Sequence, residues 1–254
     1  MLLIISPAKI LDLKRQDIIK DYTQPEFLDQ SDTLIQELKQ FTPEALSQLM
    51  NVSATIAQTN FDRFQQWNLP FTPDNAKQSI LTFNGEVYNG LKASTLTRDD
   101  LLFAQEHLRI LSGLYGVLKP LDLMQPYRLT MGTPLQVSGH QNLYRFWGGT
   151  ITQALNWSFP DNEPKVLVNL ASDEYFRSVD EKKIKARIIQ IEFKEWSGNK
   201  YKTIVIYTKK ARGMMCRFAI RHRITNPDDL KGFNEENYLF EQSLSTESRW
   251  VFVR

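Results

Sequence analysis

Ser6 and Lys9 close the apolar run "LLII" near the N-terminus, and Asn169, Ser172, Asp173, Glu174 and Tyr175 close the run "VLVNL". Lys209, Lys210 and Arg212 follow "TIVIYT", and Arg128 stands two residues after Pro126. In open α/β sheets ligands bind beyond the carboxyl ends of strands, so three such ends pointing one way would make a site. Lys9, Arg128, Lys209, Lys210 and Arg212 would give it the positive charge that phosphates need. Tyr115, Tyr127 and Tyr175 are suited to stack bases. Under a catalytic reading, Lys9 or Asp173 is the acid or base and the cations hold a phosphate. Each charge alone is an ordinary salt-bridge partner, but five together ask for an anion.

Other chemistry is poorly served. His107, His140 and His222 lie far apart and show neither ExxH nor HxxxH spacing, so no metal site and no cofactor are expected. The sequence has no GxGxxG, Walker A or GxSxG motif. The single cysteine, Cys216, excludes an internal disulfide framework. Arg212, Arg217, Arg221 and Arg223 lie near it, and such cations favour a thiolate. Its closer neighbours Met214, Met215 and Phe218 are core residues, so packing is the expected role rather than peroxide sensing.

The elements that must carry these residues read as mixed α/β (α+β). Leu2–Ser6 is a buried strand, and Lys165–Ser172 is a continuous apolar strand of the kind found at a sheet's centre. Residues 25–40 have helical spacing with Pro25 in the first turn. Ala186–Phe193 and Tyr201–Thr208 alternate and are joined through "SGNK", which predicts a hairpin. Lys210–Arg223 is partly helical in spacing, and Arg249–Arg254 is a closing strand. There is no repeat, linker or low-complexity segment, which predicts one compact domain over residues 1–254, with a mixed sheet and flanking helices.

The stretch Leu111–Gly132, "LSGLYGVLKPLDLMQPYRLTMG", is too apolar for an exposed linker and too rich in Gly and Pro for one long helix. It is expected to be the rigid wall of a cleft that presents Arg128. Thr42–Trp67 predicts two short helices, with Pro43 in the first turn of one and Ser53 capping the other. Asn51, Val52 and Ser53 form the turn between them, the layout of a helix-hairpin-helix whose exposed amides can take a phosphate oxygen. The usual hairpin has glycines where Asn51 and Ser53 stand, and an ordinary helical pair packed on the core is the competing reading.

Charge and length bound the rest. The chain has 254 residues and a net charge of +2, but residues 177–223 hold fourteen Lys and Arg against four acids, a local +10. Such a block suits a phosphate-bearing partner, or is a solvated face. The apolar runs are strand-sized, and no basic segment precedes an apolar one at the N-terminus. A cytoplasmic protein without a membrane partner is expected; the oligomeric state stays open.

"ISPAK" (Ile5–Lys9), "FNGEVYNGL" (Phe83–Leu91), Leu111–Gly132, "NLASDEYF" (Asn169–Phe176) and "KKARGMMCRF" (Lys209–Phe218), in this order, resemble the YaaA family of peroxide-stress proteins. The resemblance implies a cytoplasmic bacterial protein that limits free iron and oxidative DNA damage during hydrogen peroxide stress. It also implies a cantaloupe-like α/β fold with a helix-hairpin-helix and a basic cleft that binds double-stranded DNA. The chain departs from the family pattern at Thr130, where many relatives carry Glu, and at Cys216, where others carry Ser. Two functions follow: a DNA-binding stress protein with little sequence preference, or an enzyme acting on a phosphate-bearing, nucleotide-like small molecule. A shallow groove favours the first and an enclosed pocket the second.

Overall fold

The computed structural model describes residues 1–14, 18–159 and 165–254. They form one α/β domain around an eight-stranded sheet, here β1 (Leu2–Ile5), β2 (Leu108–Ser112), β3 (Gly116–Leu118), β4 (Val166–Leu170), β5 (Arg187–Ser197), β6 (Lys200–Lys202), β7 (Leu239–Phe240) and β8 (Arg249–Val253). Across the sheet the order is β7-β8-β5-β4-β1-β2-β3, with β6 paired to β5. The five strands β8, β5, β4, β1 and β2 run parallel, and β7, β3 and β6 add antiparallel edges.

Burial explains the choice of central strands. β1 and β4 are apolar at almost every position and fully buried, as parallel strands covered on both faces must be. Their register sets Ile5 beside Leu170, so both strands end at the same level. The longer β5 alternates, burying Ile189, Ile191 and Phe193 while the residues between them are partly exposed.

Besides a single helical turn at Ser79–Thr82, the α-helices among the described residues are α1 (Leu28–Leu38), α2 (Pro43–Met50), α3 (Ala54–Gln66), α4 (Glu86–Leu91), α5 (Arg98–His107), α6 (Leu143–Trp147), α7 (Thr150–Trp157), α8 (Asp173–Phe176) and α9 (Val205–Arg221). The capping residues do what their types dictate. Thr42 accepts a hydrogen bond from the Ala45 amide with Pro43 in the first turn, and Ser53 accepts one from the Ile56 amide. Thr97 and Asp100 form a reciprocal capping box on α5.

One expectation fails here. The hairpin forms, but residues 203–208 are not a strand: its second strand ends at Lys202, and α9 starts at Val205. The β-branched residues Val205 and Ile206 favour a strand locally, yet they are 65% and 54% exposed. Downstream, Thr208, Ala211, Met215 and Ala219 form a buried helical stripe, and its packing overrides local propensity. Lys209, Lys210 and Arg212 therefore sit on a helix, not beyond a third strand.

Candidate functional site

Two adjacent strand ends and one helix build a cleft of about 510 Å³. The loop after β1 brings Ser6 and Lys9, the loop after β4 brings Ser172 and Asp173, and α9 brings Lys209 and Arg212. The two loops are tied together: the Ser6 hydroxyl accepts from the Ser172 amide at 2.9 Å and donates to its hydroxyl at 3.2 Å. Tyr88, on α4, donates its hydroxyl to the Ser6 carbonyl.

Helix α9 reaches the cleft because α4 lets it come close. A Cβ on Gly213 would lie 1.7 Å from the Val87 carbonyl oxygen, and one on Gly90 would lie 2.1 Å from that of Lys210. The two glycines therefore let the helix backbones touch, which sets Glu86 of α4 and Arg212 of α9 on the same cleft. Each glycine lies inside a segment that carries the family resemblance, and tertiary contact gives both segments one job.

The wall expected from Leu111–Gly132 is present. Strands β2 and β3 form its hairpin, and Tyr127, Arg128, Leu129 and Thr130 face the cleft. Gly113 lets the Leu129 carbonyl approach to 2.3 Å of where a Cβ would be. The tyrosines brace the wall: Tyr127 and Ser112 share a hydrogen bond of 2.6 Å, and Tyr115 donates to the Gln125 carbonyl while accepting from Trp67. Tyr115 is fully buried and cannot stack a base; Tyr127 and Tyr175 are buried too, although both line the cleft. Burial pushes the hydroxyls of all three tyrosines well above the ordinary range, so they remain neutral struts.

The charges are unevenly satisfied. Lys9, Arg128 and Lys209 line the cleft, and none has an ion pair or side-chain hydrogen bond among the described residues. Arg212 is half-buried; its Nε is fully buried and makes no hydrogen bond among the described residues. Desolvation draws its pKa below the ordinary arginine value, and the nearby Asp173 opposes that shift. A guanidinium so held leaves a hydrogen-bonding demand that an incoming anion can meet. Glu174 is already occupied, accepting from the Gly132 amide at 3.0 Å, and Glu86 accepts from Asn89 at 3.2 Å. Asp173 is exposed at the mouth.

Not all expected residues meet here. Lys210 turns away and forms an ion pair with Glu236, and it does not line the cleft. Asn51, Val52 and Ser53 also lie outside it. They form the turn of a helical hairpin in which Asn51 adopts a left-handed conformation (φ 48°). Residues 42–67 hold Glu44, Asp62 and Arg63 as their charged groups, so this hairpin is not basic. The +10 block does not form one continuous free face either. Arg223 pairs with Asp100 at 2.7 Å, and Arg217 donates to the carbonyls of Leu91 and Lys92. Ile10, Asn84, Glu86 and Thr130 line the cleft without having been singled out for it. Their signal was their place inside or beside the resemblance segments, not their residue type.

Cys216 is fully buried and burial pushes its thiol well above the usual range, which agrees with packing. His107 contacts the Met1 carbonyl at 2.9 Å and stacks on Phe103, while His222 stacks on Phe218. Among the described residues no group of three or more His, Cys, Asp or Glu is placed to hold a metal ion. No helix among them is long and apolar enough to cross a membrane.

The fold and the cleft together define a class: an α/β protein with a cation-lined cleft beyond the ends of two central parallel strands. The family model described as peroxide stress protein YaaA matches residues 1–244, and the chain belongs to that family. Relatives span the whole chain. A UPF0246 protein of Ralstonia nicotianae is 50% identical over 254 residues, covering 100% of this chain and 99% of the relative. A UPF0246 protein of Neisseria meningitidis serogroup A is 49% identical over 254 residues, covering 100% and 98%. One from Dechloromonas aromatica is 47% identical over the same length, covering 100% and 99%.

Proposed function

We propose that this chain acts in peroxide stress by limiting free iron and oxidative DNA damage, and that its cleft engages the phosphates of duplex DNA with little regard to sequence. The observation that carries the reading is Arg212, whose buried Nε has no partner among the described residues and which shares the cleft with Lys9, Arg128 and Lys209, likewise unpaired among them. Unpaired cations around a buried guanidinium attract phosphate through charge and hydrogen bonding alone. The turn at Asn51, Val52 and Ser53 is a second contact, but the Asn51 and Val52 amides already donate to the Gln48 and Ser47 carbonyls, so this contact falls to the first amides of α3 rather than to those two.

Fluorescence anisotropy of a labelled duplex across a salt series tests this. Each phosphate contact adds about −0.9 to the slope of log K against log salt. Alanine at Lys9, Lys209 and Arg212 should flatten the slope by roughly one unit per lost contact, equally on unrelated duplexes. Lys210→Ala should leave it nearly unchanged, because Glu236 already neutralises that charge. A triple variant with the full slope would remove the cleft from DNA binding.

A second reading, an enzyme acting on a nucleotide-like small molecule, is favoured by the size of the cleft and by Asp173 beside Arg212. Turnover of a nucleoside phosphate that Asp173→Asn abolishes would establish it; no turnover across a panel of such esters would dismiss it.

A further inference from the structure

The cleft is too small for a duplex. Its 510 Å³ equals a cube about 8 Å on an edge, whereas a B-DNA duplex is wider than its own major groove of roughly 12 Å. It is within the range that holds a small ligand. Building on the DNA reading, we propose that the cleft receives a single nucleotide turned out of the duplex, with Ile10 entering the gap left in the base stack.

The arrangement of side chains carries this. Lys9 and Lys209 are exposed at the mouth, where the phosphates flanking an extruded nucleotide would lie. Arg212 and Arg128 are half-buried and meet the phosphate that enters. Asn84 and the Asp173 carboxylate, both exposed at the rim, meet the edge of the base where it crosses the mouth, the carboxylate accepting from an amino or ring N–H group. Between these groups the walls are apolar, with Val87 and Leu129 among them. Ile10 lines the same mouth directly after Lys9 and is 64% exposed. An exposed branched apolar side chain beside a phosphate-binding lysine is the type of wedge that props open a base step. Extrusion costs least where the base is mispaired or damaged, so such a cleft selects lesions without reading sequence.

The test uses the full chain with duplexes carrying 2-aminopurine, either paired with thymine or mispaired, whose fluorescence rises when it leaves the stack. At saturating protein, the expected result is a several-fold rise, larger on the mispaired duplex. Ile10→Ala and Asp173→Asn should each reduce that rise by at least half, and millimolar nucleoside monophosphate should reverse it by filling the cleft. Duplex binding by anisotropy without any 2-aminopurine response would overturn the extrusion and leave the DNA reading standing. Absence of duplex binding would overturn both, and nucleoside monophosphate binding alone would then favour the small-molecule enzyme. A full rise in Ile10→Ala would remove the wedge.

Discussion

Asp122 is a buried carboxyl that accepts hydrogen bonds from the Thr23 hydroxyl and the Lys119 amide. Burial nevertheless pushes its pKa from 3.8 up to about 6. The folded chain therefore keeps a proton that the unfolded chain has released between these values. Stability from this group is complete below pH 4 and is lost as the pH rises through 6. Asp122→Asn, which cannot titrate, should gain on the wild type by on the order of 2 kcal/mol between pH 4 and 7. Urea unfolding at four pH values measures this, and parallel profiles would refute it. Cys216 gives a second expectation. Because its thiol is buried and held neutral, Cys216→Ser should preserve peroxide protection in a deletion strain. The native thiol should also resist a disulfide reagent until the chain unfolds. A variant as sensitive as the deletion, at normal protein levels, would make the thiol functional.

At the scale of elements, the contact between α4 and α9 decides whether there is a cleft. Gly213→Ala sets a methyl 1.7 Å from the Val87 carbonyl oxygen, which is backbone and cannot swing aside. The expected cost is about 3 kcal/mol, with a melting temperature lower by several degrees. If the cleft binds duplex DNA as proposed, affinity should fall with it, because Glu86 and Arg212 are displaced together. Gly232→Ala, whose methyl meets nothing within 4 Å, is the control and should change little. Equal melting temperatures for the two variants would mean that α4 and α9 are free to separate. Much at this scale was legible beforehand. Thr42 and Ser53 cap the helices they were expected to cap, since capping is settled within four residues. Residues 203–208 depart from the expected strand because their local preference is for strand, whereas their fate is set by the helix whose buried stripe runs from Thr208 to Ala219 and packs on α4.

For the whole molecule, the scattered histidines and the single buried cysteine lead to a further expectation. Purified protein should contain no stoichiometric iron or zinc by elemental analysis, and one tightly held ion per chain would refute it. Any control of iron would then act through what the cleft binds rather than through storage. The sequence by itself determined the central strands β1 and β4, the caps, the wall from Leu111 to Gly132 and the family. Each of these is written in contiguous residues whose apolarity, turn chemistry or order in the chain is local information. Only the tertiary structure decided which cations are free. Lys209 and Lys210 are neighbours in sequence, yet one faces the cleft and the other is paired with Glu236, because adjacent residues on a helix point about 100° apart. Likewise, the closeness of Glu86 to Arg212 depends on two glycines more than a hundred residues apart, and that contact exists only once the helices have packed.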